Sequence, residues 1–104
     1  FIKRIFTKNE ILKAKKFKDK LLFFSKRFAA KEALSKSIGT GFRNDLNFID
    51  IDIVNDKLGK PDFKLNKKIL NIIKKKFNVT SAKFFLSISD EKKYSIAFVI
   101  LQIK

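Results

Sequence analysis

One carboxylate, Glu32, stands among three cations, Arg27, Lys31 and Lys36, in the stretch RFAAKEALSKSIGTG (residues 27–41). Glu32 and Lys36 are four residues apart, so on a helix they share a face. Such a pair is commonly a solvated ion pair worth about 0.3–0.5 kcal/mol. The crowding of cations around a single carboxylate also suits a site shared by a divalent cation and a doubly charged anion. There the carboxylate holds the cation, while Lys and Arg meet the anion's surplus charge. Spacing alone leaves both readings open. Three further segments carry residues that could serve a site, and each has an ordinary reading beside it. Gly39 and Gly41, around Thr40, bring backbone close to a ligand or simply stop a helix. NDKLGKP (55–61), with Gly59, Lys60 and Pro61, is by default a tight turn. SISDE (87–91) places Ser89 and Asp90 at a strand end within reach of a site, or in a polar hairpin turn.

Absent residue types narrow the chemistry. The sequence has no Cys, which excludes disulfides, thiol nucleophiles and Cys-type zinc sites. It has no His, which removes the commonest general base and transition-metal ligand. Carboxylates with water and phosphate suit a hard cation such as Mg²⁺. The net charge of +15 points to anionic partners: nucleic acid, a phosphorylated ligand, an acidic protein or a membrane surface. Because the cations are mostly Lys, beside abundant Ile, Asn and Phe, an AT-rich genome accounts for part of that excess.

The elements that must position these groups follow from pattern. With 104 residues, 45% of them hydrophobic and thirteen Phe, one domain with a modest core is expected. No apolar run approaches the ~20 residues of a membrane span, and the charged start does not read as a signal peptide, so a soluble cytoplasmic protein is expected. Thr7 with Glu10 forms a capping box opening a short helix. The main helix runs roughly over 20–38, with Leu21, Phe24, Phe28, Lys31 and Ser35 on one stripe and Leu34 and Ile38 beside them. Ala29, Ala30 and Ala33 keep it narrow, and Gly39 ends it in the left-handed conformation. FIDIDIV (48–54) alternates as a half-buried strand, and DFKL (62–65) is a short second one. NKKILNIIKKKF (66–77) is an amphipathic helix with Ile69, Ile72, Ile73 and Phe77 inward. KFFLSISD (83–90) and YSIAFVILQI (94–103) form an antiparallel pair joined at DEKK. The class is α+β, an antiparallel sheet packed on a long helix.

The order and spacing of these segments resemble the holo-acyl-carrier-protein synthase family, the small bacterial 4′-phosphopantetheinyl transferases. The resemblance runs from about Arg4 to Ile100 and is most specific in R-F-x-x-K-E-A-x-x-K-x-x-G-T-G, every fixed position of which is met. It implies a single, trimer-forming domain over 1–104. The reaction implied is transfer of phosphopantetheine from coenzyme A to a serine of apo acyl carrier protein, with Mg²⁺ at the pyrophosphate. By the same resemblance Glu32 is the metal ligand and activator of the serine hydroxyl, and Lys36 contacts the transferred phosphate. Arg27 and Lys31 are coenzyme A phosphate contacts, and Gly39 lies where helix backbone meets the ligand. Ser89 and Asp90 lie near the nucleotide, and Gly59, Lys60 and Pro61 form its adenine-side loop.

Family members begin with a strand carrying G-x-D-I, whose Asp is the second metal ligand, followed by a basic helix that docks the carrier protein. Both are expected upstream of Phe1, so the chain reads as N-terminally truncated. Beginning at Phe1, it is expected to bind Mg²⁺ weakly and show little activity, because a lone carboxylate on a helix is a poor metal site. Two rival readings are a non-catalytic basic module binding nucleic acid, supported by charge alone, and an inactive truncated remnant. On the favoured reading the partners are apo acyl carrier protein and coenzyme A, with no nucleic acid or membrane.

Overall fold

The computed structural model describes residues 2–39, 46–90 and 95–104, with Asp90 described by its backbone only. The elements in chain order are α1 (Ile2–Ile5), α2 (Lys8–Ala14), α3 (Lys20–Ile38), a 3-10 turn (Phe48–Asp50), β1 (Ile51–Asn55), β2 (Pro61–Leu65), α4 (Lys67–Phe77), β3 (Ala82–Asp90) and β4 (Ser95–Ile103).

Local chemistry sets the helix ends. Thr7 and Glu10 make both hydrogen bonds of the expected capping box: the Thr7 hydroxyl accepts from the Glu10 amide (3.1 Å), and the Glu10 carboxylate accepts from the Thr7 amide (2.9 Å). The Asp19 side chain accepts from Leu22 N (2.9 Å) to start α3. Gly39, at φ 86°, closes α3 in the left-handed region as expected. Asn66 caps α4 by accepting from Ile69 N (3.0 Å).

The strands form two antiparallel hairpins rather than one continuous sheet: β1 with β2, and β3 with β4. In register, Ile51 faces Leu65 and Ile53 faces Phe63, while Phe84 faces Leu101 and Leu86 faces Val99. A T-shaped pair of rings, Phe63 and Phe84 (5.9 Å), joins the hairpins. Leu34 and Ile38 of α3, Leu46, Ile51, Ile69 and Ile73 of α4, and Phe84 form the main core, and Ala30, Ile53 and Leu86 a second cluster. The alternation of Ile and Asp in 48–54 holds for Ile51 and Ile53, but residues 48–50 turn instead of pairing. The cause is Asp50, whose carboxylate accepts from Asn47 N (3.1 Å), Asn66 Nδ2 (3.2 Å) and Lys68 Nζ (3.0 Å). These bonds offer that backbone an alternative to the ladder.

The buried face of α3 is rotated from the expected stripe. It comprises Phe23, Arg27, Ala30, Lys31, Leu34, Ser35 and Ile38, while Leu21 is 79% exposed. The physical reason is that two cations, Arg27 and Lys31, lie inside with partners of their own, so an apolar pattern points about one residue away from the true inner face. Residues 91–94, at the joint expected at DEKK, and the Gly-Thr-Gly residues Thr40 and Gly41 lie outside the described residues.

Candidate active site

Neighbouring residues of α3 have opposite fates. Lys31 has no exposed side-chain surface. Its ammonium donates to Glu10 Oε1 (2.6 Å), to the Ile5 carbonyl (2.6 Å) and to the Phe48 carbonyl (3.1 Å), which uses all three N–H groups. Glu10 in turn accepts from Ile53 N (3.1 Å) through its other oxygen. One buried ion pair therefore fastens α1, α2, α3 and β1 together. The resemblance makes Lys31 a phosphate contact; in this structure its three donors engage Glu10 and the Ile5 and Phe48 carbonyls instead. Burial pushes the Lys31 ammonium down from its ordinary value, with the Glu10 hydrogen bond and charge opposing.

Glu32, the next residue, faces outward with its side chain 42% exposed, and Lys36, 78% exposed, stands 3.9 Å from it. The pair is loose, so the carboxylate is free to exchange Lys36 for another cation. A partly exposed carboxylate with open coordination suits Mg²⁺, which takes one or two carboxylates and completes its shell with water and substrate phosphate. Among the described residues there is no cluster of three carboxylates or other ligating side chains, so any metal held here relies on Glu32 together with groups from elsewhere.

Arg27 lies toward the start of the same helix. It is buried, stacks on the Phe23 ring (4.2 Å), and donates through Nη2 to Asn55 Oδ1 (3.0 Å). Its Nε is buried without a hydrogen-bond partner among the described residues. Burial lowers its pKa while Glu10 and Asp52 oppose, and a guanidinium remains charged regardless. Lys13 of α2 donates to the same Asn55 oxygen. Burial and then the charge of Arg27 push the Lys13 ammonium down. The Asn55 amide nitrogen donates to the Gly59 carbonyl (2.9 Å). In the 56–60 turn the Asp56 carboxylate accepts from Leu58 N (2.9 Å) and Lys60 N (2.8 Å), and Gly59 sits at φ 85°.

Arg27 and the turn of Gly59, Lys60 and Pro61 are thus brought together through Asn55, a residue that sequence reasoning read only as the start of a turn. Lys13 was missed as well, because nothing in the spacing of a Lys-rich helix marks one lysine over another. Lys60 and Pro61 line a cleft of about 230 Å³ with Lys83 and Phe85 of β3. Ser89 is exposed near the end of β3, opposite Ile96, and Asp90 follows it opposite Ser95. Beside Gly39, a β-carbon would stand 2.9 Å from Lys76 Nζ, so a cation of α4 lies over the C-terminal end of α3. Among the described residues, no hydrogen bond or ion pair joins Glu32 or Lys36 to the Asn55 cluster; α3 itself is the link.

Comparison with known proteins places the chain in a family. The model of the 4′-phosphopantetheinyl transferase superfamily matches residues 1–99. The holo-[acyl-carrier-protein] synthase of Pelagibacter ubique is 65% identical over 104 residues, covering 100% of this chain and 81% of the relative. The crystal structure of the Neisseria meningitidis holo-[acyl-carrier-protein] synthase superposes with a TM-score of 0.82 at 34% identity, covering 98% of this chain and 79% of that one. The Bacillus anthracis holo-(acyl-carrier-protein) synthase, solved in complex with CoA (3′,5′-ADP), gives a TM-score of 0.79 at 38% identity, covering 97% and 78%. Over nearly its whole length, then, the chain belongs to the holo-[acyl-carrier-protein] synthase family within the 4′-phosphopantetheinyl transferase superfamily.

Proposed function

We propose that this protein transfers 4′-phosphopantetheine from coenzyme A to a serine of an apo acyl carrier protein, with Mg²⁺, as a cytoplasmic enzyme. The observation that carries the reading is the outward pair Glu32–Lys36 on a helix fastened from behind by Lys31–Glu10, in a chain of this family. In the reaction the serine oxygen attacks the phosphorus attached to pantetheine. One P–O bond forms there, and the P–O bond to the nucleotide breaks, releasing adenosine 3′,5′-bisphosphate. Glu32 would be this chain's carboxylate toward Mg²⁺ and would take or orient the serine proton. Lys36 meets charge on the transferred phosphoryl group. Bound Mg²⁺ would supply neutralisation of the pyrophosphate charge. Arg27, with Lys13, supplies positive potential for the anionic end of coenzyme A. Gly39, the Gly59–Lys60–Pro61 turn, Ser89 and Asp90 form the walls.

The chain's charge of +15 suits an acidic carrier protein and raises its encounter rate at low salt. We also propose a homotrimer. Its support is the outer face of the β3–β4 hairpin, where Phe98 is 68% and Ile100 65% exposed beside Phe85, the cross-strand partner of Ile100. Contiguous exposed apolar side chains mark an interaction surface. Among the described residues no helix is long and apolar enough to cross a membrane.

The test incubates protein from the complete gene with apo acyl carrier protein, coenzyme A and Mg²⁺ and weighs the carrier by mass spectrometry. A gain of one phosphopantetheine is expected, and no gain would sink the proposal. Glu32→Gln and Lys36→Ala should each slow transfer at least tenfold without changing the melting temperature appreciably. Full rates in both would remove these residues from the mechanism.

A further inference from the structure

Asn55 is the last residue of β1, paired with Pro61 across the ladder, and its side chain reaches in two directions. Its oxygen accepts from Arg27 Nη2 (3.0 Å) and from Lys13 Nζ, and its nitrogen donates to the Gly59 carbonyl (2.9 Å). Only this orientation of the amide satisfies the surroundings: a flipped amide would set its N–H groups against two cations and its oxygen against a carbonyl. We propose that Asn55 is a positioning residue for coenzyme A, locking the Arg27 guanidinium on α3 to the Gly59–Pro61 turn so that cation and turn meet the ligand as one rigid unit. This rests on the proposed transferase reading.

Asparagine is the side chain that does both tasks without changing the local charge. Aspartate would keep the acceptor for Arg27 but lose the donor to Gly59. It would also add a negative charge beside Arg27 and Lys13, cancelling potential meant for an anion. Alanine would release Arg27 from the turn and leave its buried guanidinium with another donor unpaired, beside the Nε that already lacks a partner. Gly59, with no described residue within contact of where a β-carbon would stand and held at φ 85°, depends on its backbone bonds for its place. The Asn55 amide is one of these.

The test measures coenzyme A binding by calorimetry, and KM and kcat in carrier modification, for the wild type, Asn55→Ala, Asn55→Asp, Arg27→Ala and the double variant Asn55→Ala/Arg27→Ala. Loss of the charge-assisted hydrogen bond that holds the Arg27 guanidinium, together with that from Lys13, predicts that Asn55→Ala raises Kd and KM for coenzyme A about tenfold, some 1.4 kcal/mol. The kcat at saturating coenzyme A should stay within about twofold. In the Arg27→Ala background the same substitution should add less than about twofold, because it acts through Arg27. Should Asn55→Ala fail to fold, Asn55→Asp carries the test: it should raise KM by roughly threefold or more. Unchanged KM, a loss confined to kcat, or fully additive effects would overturn the positioning role. A wild type that binds no coenzyme A would overturn the transferase reading together with it, whereas a functional wild type beside a fully functional Asn55→Ala overturns only the role of Asn55.

Discussion

Replacing Lys31 with methionine separates a structural strut from a ligand contact. The side chain is similar in length, so the space stays filled, but Glu10 is left buried with only the Thr7 and Ile53 amides. Removing one partner of a buried, hydrogen-bonded ion pair costs about 3–5 kcal/mol. For a domain of this size each kcal/mol lowers the melting temperature by about 4 °C, so the expected drop is about 12–20 °C. Glu10→Gln should lower it by several degrees as well, since Lys31 keeps two carbonyls and an amide oxygen but loses its counter-charge. The double variant Glu10→Gln/Lys31→Met should cost less than the sum of the singles, because each single change strands a charge that the double removes. Calorimetric melts and urea titrations give these values, with Glu32→Gln as the control: its loose exposed pair should cost under about 0.5 kcal/mol. A Lys31→Met protein less than 1 kcal/mol weaker than wild type that has lost coenzyme A affinity would refute the reasoning and return Lys31 to the phosphate site.

Titration provides a second expectation. Asp50 is pushed up by burial, but hydrogen bonds from Lys68, Asn47 and Asn66 outweigh this and hold its carboxyl below 3.8. Its contribution is therefore present above about pH 4 and lost as pH falls through the depressed value, and Asp50→Asn should flatten that acid limb in urea titrations. For Lys31, also depressed, the unfolded chain binds more protons just below pH 10.5, so stability should rise with pH there, and Lys31→Met should reduce that slope to the share that Lys13 contributes. Gly39→Ala and Gly59→Ala should each destabilise by about 1 kcal/mol by the same route, the positive φ, because among the described residues the close neighbour at Gly39 is the movable end of Lys76. Unequal melts would mean that contact matters. For the proposed trimer, Phe98→Ser should shift the mass toward monomer in light scattering, and an unchanged mass would remove this face from the proposed interface.

Much of the fold was legible because local chemistry agreed with it. Thr7 and Glu10, Gly39, the Ile–Asp alternation and the spacing of Ile69 and Ile73 each name a cap, a stop or a buried face from residue type alone. The inner face of α3 was not legible. Its Arg27 and Lys31 are inside only because Asn55 and Glu10, distant in sequence, supply partners, and no periodicity encodes such partnerships. The same holds for the site. The family pattern marked Glu32, Lys36 and the 59–61 turn, but a pattern weighs Lys31 and Lys36 alike. Only the path of the chain around Glu10 decides which lysine is spent on the fold. Asn55 was hidden by its commonness at turns.

Lys31 and Glu32 are adjacent, so about 100° of helix rotation separates the strut from the outward carboxylate. That sets what kinds of change the lineage can accept. Exposed positions of α3 other than Glu32 and Lys36 can be substituted freely, but one residue inserted or deleted between Asp19 and Lys31 would carry either the wrong side chain inward or the carboxylate to the wrong azimuth. Variation in this enzyme should therefore accumulate as replacements along α3 and never as changes in its length.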